Sequence, residues 1–249
     1  SDPYKPKLVT SALIPNTDIT SLTYSNGNLI IGAAKDVDKD PLLGSNPAIV
    51  FNMPLSSGLL TDKLTTNYLE SRVTTDVAAN TTTYFAVTGD NGSLFKLSTS
   101  TKAVTGKVAV ADLRSIALTT DKVVTLSGTK GVNVYNQSTL ALQKSFTTST
   151  DVSGAKRTMD IDGTKLLVSE GSNGLGVYDI NSGSKLQTIA ISAAGEDNVT
   201  NAVSVNDGYA FIANGALGLN VYQSGTQYSL LGALGIAGST NYVKSSGNY

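Results

Sequence analysis

The sequence predicts an all-β fold, a β-propeller built from four-stranded blades, and three observations support this prediction. The first is an internal repeat: a Gly-x-x-Gly step followed by an apolar run begins at Gly89, Gly128, Gly171 and Gly215, so the steps are 39, 43 and 44 residues. A propeller blade requires about 40 to 45 residues. The second is a set of short runs rich in Val, Ile, Thr and Tyr within each copy, and the third is a tight-turn dipeptide between such runs.

Two consecutive copies show the predicted strands most clearly. The expected strands are residues 157–161, 165–169, 174–179 and 185–191, followed by 201–205, 209–213, 219–222 and 228–236. Dipeptides suited to a left-handed turn separate successive strands, namely Asn26-Gly27, Asp162-Gly163, Ser182-Gly183 and Asp207-Gly208. The alternation of apolar and polar residues with tight turns is typical of antiparallel strands.

The repeats divide the chain into blades of one domain covering residues 1–249. The predicted blades are roughly 18–70, 74–110, 112–150, 155–192 and 199–237. Residues 240–249 match 200–209 with identities at Thr, Asn, Val and Tyr. Residues 239–249 are therefore predicted to begin a further blade that is incomplete in this chain. Residues 7–14 are predicted to form the lone fourth strand of that blade. Six blades are the simplest count, seven remain open, and an open solenoid or β-helix is the alternative architecture.

Composition excludes several classes of function. The chain has no Cys and no His, which excludes a thiolate nucleophile, a disulfide, a zinc-finger site and an imidazole base. Its net charge of −1 provides no bulk field to attract nucleic acid, and no run of 18 apolar residues is present to form a transmembrane helix. The acidic residues are scattered, so we expect no enzyme, with carboxylate-dependent glycosidase or lyase chemistry as the remaining enzymatic alternative.

Polar residues at the start of each innermost strand form the first candidate site. Aligning the repeats places Thr20, Thr75, Arg114, Arg157, Asn201 and Asn241 near the central channel. The two arginines could hold a carboxylate, phosphate or sulfate through forked hydrogen bonds. The alternative is that they pair with Asp112 and Asp160 or with carbonyl groups that close the channel.

An insertion in the first blade forms the second candidate site. Residues 34–46 lie between the second and third predicted strands and contain Asp36, Asp38 and Asp40 at alternate positions. Three such carboxylates can converge on Ca²⁺, although Pro41 and Pro47 stand where an EF-hand has Gly and Glu. A solvated acidic loop is the alternative, and no other cofactor is expected.

Turn geometry and packing explain the residues that recur in the turns and strands. The Gly-x-x-Gly steps lie between two strands and lack a following helix, so tight-turn geometry explains them better than phosphate binding. Glu170, on one of these turns, is interpreted as an ordinary turn residue. Tyr135, Tyr178 and Tyr222 recur at one strand position, which favours packing between blades over a sugar-stacking ladder.

One repeat resembles a known family. Residues 208–222, with an aromatic strand, a Gly-x-x-Gly-Leu step and an aliphatic strand, resemble the LVIVD repeat of bacterial surface proteins, and residues 165–180 fit as well, including Val177-Tyr178-Asp179. The resemblance covers residues 110–249 well and the first hundred loosely. It implies an exported or cell-surface protein of a Bacteroidetes-like bacterium, with a lipidated residue preceding Ser1. It further implies an adhesion-like role. The first-blade insertion makes the loops of one face unequal, so we expect a protein or glycan partner to bind at that face.

Overall fold

The computed structural model describes residues 5, 7–8, 11–39, 46–55, 61–149, 156–193, 195 and 197–247. In these ranges twenty β-strands form five four-stranded sheets, and a 3-10 turn covers Thr61–Lys63. Every sheet follows chain order, and the strand pairs are antiparallel. The described part of the chain contains no helix with the length and apolar character needed to cross a membrane. The prediction of an all-β chain of four-stranded repeats is therefore confirmed.

The strands follow one another in chain order through the five sheets. The first sheet is β1 Thr17–Ser25, β2 Asn28–Lys35, β3 Ala48–Pro54 and β4 Thr65–Tyr68; the second is β5 Thr74–Ala79, β6 Thr83–Thr88, β7 Ser93–Ser98 and β8 Val104–Ala109; the third is β9 Leu113–Leu118, β10 Lys122–Ser127, β11 Gly131–Asn136 and β12 Leu142–Phe146; the fourth is β13 Met159–Asp162, β14 Lys165–Ser169, β15 Leu175–Asp179 and β16 Lys185–Ile189; the fifth is β17 Ala202–Asn206, β18 Tyr209–Ala213, β19 Leu219–Gln223 and β20 Ser229–Leu234.

The chain divides into two compact units, residues 1–116 and 117–249. In the first unit, β3 is apolar on both faces and nearly all of it is buried. One face contributes Ala48 and Val50 to a cluster with Tyr84 and Phe95 of the second sheet. Stacked sheets therefore bury the apolar faces that a single sheet would leave in water.

The second unit has the same construction. Leu126 and Val134 of the third sheet pack with Leu166 and Val168 of the fourth. The opposite face of the fourth sheet packs against the fifth through a separate cluster. Tyr178 is buried against the ring of Phe146, with ring centroids 5.5 Å apart, and Tyr135 and Tyr222 are buried as well. Their burial favours the interpretation that these tyrosines fill the space between sheets.

The second glycine of the repeated step is required by close backbone approach. At Gly131, Gly174 and Gly218, φ is 83°, 83° and 82°, a left-handed conformation that L-residues rarely adopt. A Cβ at Gly174 would lie 2.2 Å from the carbonyl oxygen of Ile189, at the end of the fourth strand. The turn therefore packs directly on the outer strand of its own sheet, which explains why the glycine recurs.

The two chain ends differ from the prediction to different degrees. The predicted strand at 7–14 is wrong for the described residues of that range, 7–8 and 11–14, since none is in a strand. Near the other end, Thr240 forms an isolated bridge with Gly215, as Thr200 does with Gly171. The two antiparallel bridges are equivalent, which agrees with the sequence match between 240–249 and 200–209, although the described residues 239–247 otherwise form no strand.

Candidate functional site

Two predicted site residues of the first unit, Thr20 and Thr75, join neighbouring sheets. The Thr20 hydroxyl lies 2.9 Å from the carbonyl oxygen of Gly32 in its own sheet and also contacts the carbonyl oxygen of Thr74 in the next. The Thr75 hydroxyl repeats this arrangement, 3.1 Å from the Val87 oxygen and 2.7 Å from the Leu113 oxygen. Both hydroxyl groups are therefore engaged by the scaffold itself.

Asp76, which follows Thr75, is a carboxylate shared by three sheets. Its Oδ1 accepts hydrogen bonds from Ser21 of β1 at 2.6 Å and from its neighbour Val77 N at 2.9 Å. Its Oδ2 accepts from the Ser115 hydroxyl and the Ile116 N–H of β9, both at 3.0 Å. Burial raises the pKa of Asp76 above its ordinary value, and the four donors oppose that rise.

Arg114 is already paired. Its Nε and one terminal nitrogen each lie 2.7 Å from Oδ1 of Asp112, and about half of the side chain is exposed. Two guanidinium nitrogens thus share one carboxylate oxygen of a residue two positions away in the chain. The contact favours the alternative of internal pairing over anion binding at Arg114.

Arg157, in the second unit, is buried rather than open to a ligand. Its side chain donates to the carbonyl oxygen of Gly128 at 2.6 Å and to the hydroxyl of Thr148, and the residue is 4% exposed. A guanidinium in this position fixes the segments around Gly128 and Thr148. Its contacts again favour the structural alternative.

Asn201 and Asn241 contact each other in the second unit. Asn201 Nδ2 donates to the carbonyl oxygen of Thr240 at 3.2 Å and to Oδ1 of Asn241 at 3.1 Å. Its Oδ1 accepts from the Lys156 N–H at 3.1 Å. Asn201 thereby ties the start of β17 to the segments on both sides of it.

The hydrogen bonds correct the predicted alignment of the six residues. Asp160 accepts from the Ser204 hydroxyl at 3.3 Å and Val205 N–H at 2.9 Å, which repeats the contacts of Asp76 with Ser115 and Ile116. Asp160 is thus the equivalent of Asp76.

With this alignment, Arg157 lies three residues before Asp160, whereas Thr75 directly precedes Asp76. The sequence alignment missed the β-bulges at Thr20 and Thr75, which shift the register of β1 and β5. The prediction that the six residues are equivalent is therefore wrong.

Glu170 is a buried residue whose role the sequence interpretation missed. It is fully buried, and its carboxylate accepts from the Tyr178 hydroxyl at 2.5 Å, the Lys185 ammonium at 2.8 Å and the Ser149 N–H at 3.0 Å. Burial raises the pKa of the Tyr178 hydroxyl, and its bond to the carboxylate adds to the rise. Glu170 is thus the centre of a charged network and no ordinary turn residue.

A signal for this network was present in the sequence. Gly176 stands where the neighbouring copies have Asn133 and Asn220. A Cβ at Gly176 would lie 2.8 Å from Cδ of Glu170 and 2.6 Å from the Tyr178 ring. The glycine leaves the space that the buried carboxylate occupies.

The acidic loop after β2 has local contacts in its described part. Asp36 Oδ1 accepts from the Asp38 N–H at 3.0 Å, and the Asp36 N–H donates to the carbonyl oxygen of Asn16 at 3.0 Å. Asp40 lies outside the described residues. Among those that are described, no three acidic side chains come together as a metal site. The calcium site therefore stays a prediction.

Two small cavities have no carboxylate in their walls. One, of about 220 Å³, is lined in the first unit by residues that include Asn28, Asn52 and Lys102. The other, of about 380 Å³, is lined in the second unit by residues that include Asn173 and Ile191. Neither presents the opposed carboxylate pair that glycoside hydrolysis requires.

Comparison with known proteins gives the fold and nothing more specific. No family model matches the chain, and no curated protein matches it. A chain in the crystal structure of the mitotic checkpoint complex superposes with a TM-score of 0.72 and 10% identity, over 93% of this chain and 72% of that one. This chain has a β-propeller-like fold.

A designed protein gives the same result. The crystal structure of the computationally designed Ika8 protein superposes with a TM-score of 0.64 and 13% identity over 89% of this chain. The chain covers 63% of the designed protein's length. At such low identities the likeness concerns the fold alone.

Proposed function

We propose that this propeller-like chain is a non-enzymatic interaction module that binds a protein or glycan partner at the face carrying the loop between β2 and β3. The observation that carries the proposal is the inequality of the equivalent loops. This loop spans residues 36–47, whereas its counterparts span 89–92, 128–130, 170–174 and 214–218. Binding specificity commonly resides in loops that a rigid scaffold positions, and the described residues 36–39 are exposed.

The hydrogen bonds of three carboxylates support binding rather than catalysis. Asp76 and Asp160 accept hydrogen bonds from the next sheet, and Glu170 is engaged by a tyrosine, a lysine and a backbone N–H. A catalytic carboxylate must have one oxygen available to the substrate. These three are committed to holding segments of the scaffold together.

The finer architecture and the location belong to the same proposal. A six-bladed ring would take residues 240–247 as the start of its last blade, and the matched bridges of Thr200 and Thr240 support the beginning of a further repeat there. The resemblance of residues 208–222 to LVIVD repeats supports export to the periplasm or cell surface of a bacterium. A lipid anchor preceding Ser1 and an adhesion-like role follow from that resemblance alone.

A loop replacement tests the proposal. The variant carries the four residues 89–92 of the second sheet in place of 36–47, and both proteins are applied to panels of immobilised glycans and secreted proteins. We expect the parent chain to retain at least one ligand and the variant to lose it while keeping its thermal midpoint. Thr101→Ala, at an exposed turn elsewhere in the first unit, is the control and should bind like the parent.

Two outcomes would contradict the proposal. Retention that survives the loop replacement would place the binding face elsewhere. Mass spectrometry of the retained glycans provides the second criterion. A cleavage product that disappears on substitution of an Asp or Glu would make the chain an enzyme.

A further inference from the structure

Asn52 lies at a position where three of the other four sheets have valine. Asn52 of β3 pairs with Ile30, the third residue of β2. The pairs at the same place in the third, fourth and fifth sheets are Val134 with Val124, Val177 with Leu167 and Val221 with Phe211. The second sheet has the half-buried Lys96 there. Asn52 is 2% exposed and Val134 and Val177 are both 1% exposed, so packing alone does not require an asparagine at this position.

The side-chain oxygen of Asn52 is buried without a hydrogen-bond partner in the described part of the chain. Ala48 and Val50, which alternate with Asn52 along β3, pack in an apolar cluster with the second sheet. The amide therefore lies at the end of an apolar layer. A buried acceptor without a donor is rare, because its lost hydration is not offset. This state of Asn52 indicates a bound group that supplies the missing donor.

Asn52 lines the cavity of about 220 Å³ in the first unit. Ile30 lines it as well and is buried, whereas Asn26 and Ser100 of the same wall are exposed. The cavity thus has a buried floor and a rim in contact with solvent. A cavity of about 150 Å³ can hold benzene, so this one accommodates a single six-membered ring with small substituents.

The undescribed residues of the first unit lie in the N-terminal segment, in the loop between β2 and β3 and in the loop between β3 and β4. Ile14, Leu55 and Leu64, described residues close in sequence to the first and third of these segments, pack on the face of the first sheet opposite to Asn52. The loop between β2 and β3 joins the strand ends away from Asn28, another wall residue. The described neighbours of these segments therefore lie away from the cavity, which favours a ligand from solution.

The cavity wall offers mainly hydrogen-bond acceptors, because its hydroxyl and amide donors are engaged by the scaffold. The hydroxyl groups of Ser25 and Thr99 donate to backbone carbonyl oxygens at 2.7 and 2.8 Å. The amide nitrogens of Asn26 and Asn28 donate to backbone carbonyl oxygens at 2.5 and 2.8 Å. Hydroxyl and amide oxygens in such groups can still accept hydrogen bonds. A ligand of this cavity must therefore supply several donors.

The charges of the wall disfavour an ion. Lys102 is the one charged residue among the described residues that line the cavity, and its ammonium group donates to the carbonyl oxygen of Thr99. A cation would be repelled by Lys102 and would find no carboxylate in this wall. An anion would lie against the acceptor oxygens of Asn28 and Asn52. A neutral molecule that is rich in donors satisfies the wall better than either ion.

We propose that this cavity binds one neutral sugar ring, free or at the end of a glycan, with a ring hydroxyl donating to Oδ1 of Asn52. A sugar carries hydroxyl donors on several sides of its ring, and Ile30 provides an apolar contact for the ring C–H groups. A few polar groups that fix orientation beside an apolar contact are typical of small-molecule sites. The cavity lies at the end of β2 opposite to the loop between β2 and β3. It is therefore a second site, and it does not depend on the function proposed above.

The test follows the methyl NMR signals of Ile30 and Ile31 in the whole chain. Ile30 lines the cavity, whereas Ile31 packs on the opposite face of the same sheet. Glucose, galactose, mannose and xylose are each titrated to about 10 mM, with sodium phosphate and tetramethylammonium chloride as charged probes. We expect at least one sugar to shift the Ile30 signal in a saturable manner and to leave the Ile31 signal unchanged.

Asn52→Val introduces the residue of the three other sheets and removes the acceptor. It should weaken sugar binding at least about tenfold without lowering the thermal midpoint. Asn133→Val, at a strand asparagine of the second unit, is the matched control and should bind like the parent. Ser100→Trp, at the exposed rim, should also weaken binding by hindering entry, and it keeps the test decisive if Asn52→Val does not fold.

The methyl glycosides of the same sugars distinguish the two sources of the ring. Binding of the glycosides as well as the free sugars would assign the ring to the end of a glycan, and binding of the free sugars alone would assign it to a free sugar; each result supports the proposal. No shift of Ile30 with any sugar overturns it, as does equal binding by Asn52→Val or a response to a charged probe alone. Replacement of residues 36–47 should leave sugar binding unchanged, so the two proposals fail separately.

Discussion

Two buried asparagines should respond in opposite directions to the same substitution. Asn52 is 2% exposed, and its Oδ1 has no hydrogen-bond partner in the described part of the chain. Asn214 is 5% exposed, and its Oδ1 accepts from the Thr200 hydroxyl at 2.7 Å. Leucine has the same branching as asparagine, is somewhat larger, and has no polar atom in its side chain. Asn52→Leu therefore removes an unsatisfied acceptor, whereas Asn214→Leu creates an unsatisfied hydroxyl.

The magnitudes follow from the cost of burying an unpaired polar group, about 1–3 kcal/mol. We expect Asn52→Leu to raise the free energy of unfolding by about 1 kcal/mol, at the low end because the larger leucine must repack β3. Asn214→Leu should lower it by about 1–3 kcal/mol. For a chain of this size, each kcal/mol moves the thermal midpoint by about 2–4 °C.

Urea denaturation followed by circular dichroism measures both changes against the parent chain. If the free energy of unfolding falls with urea concentration at the same slope in all three proteins, the compactness of the folded and unfolded states is unchanged. If Asn52→Leu destabilises the chain as much as Asn214→Leu does, the Asn52 oxygen has a partner in solution, and the reasoning is refuted.

Three further predictions concern buried groups. Since burial raises the pKa of Asp76 above 3.8, the folded chain binds this proton more tightly than the unfolded chain does. The free energy of unfolding should therefore fall as pH rises from 3.8 to the raised pKa, by about 1.4 kcal/mol for each pH unit between the two values. If the difference in stability between the parent and Asp76→Asn is independent of pH, this prediction is wrong. Gly174→Ala should lower the free energy of unfolding, measured with urea, by more than about 1 kcal/mol, since φ is 83° and the Cβ would clash with the Ile189 oxygen. Gly163→Ala should lower it by less, because φ is 60° there and the Cβ would enter open space. Equal losses would contradict the steric argument. Glu170→Leu should lower the thermal midpoint more than Lys185→Met does, because the loss of the carboxylate leaves the Tyr178 hydroxyl and the Ser149 N–H without their acceptor. The reverse order would show that the ion pair between Lys185 and Glu170 contributes more to stability than these hydrogen bonds.

Local patterns were sufficient to predict much of the fold. The predicted strands 165–169 and 209–213 have the observed bounds, because alternating residues and a turn dipeptide define both of their ends. Positive φ at Asn26, Gly27, Asp207 and Gly208 agrees with the predicted turns. The predicted strand at 7–14 failed in its described part, since an apolar run forms a strand only where a neighbour supplies backbone partners.

The candidate site was less predictable, because it depends on contacts between repeats. Nothing near Arg157 in sequence indicates that its partners are Gly128 and Thr148. The bulges at Thr20 and Thr75 insert one residue into the register and leave no mark in the repeat spacing. Glu170 was predictable in principle from Gly176, whose missing side chain indicates that something else fills the space.

The carboxylate of Asp76 affects how the first unit unfolds. Its donors come from Ser21 of β1 and from Ser115 and Ile116 of β9. The first strands of three consecutive sheets, β1, β5 and β9, are therefore linked by one carboxylate. Detaching any one of them removes donors from a desolvated carboxylate, which penalises partial opening. The inner strands should therefore open together, and their amide protons should exchange with solvent as one block, while the outer strands exchange singly.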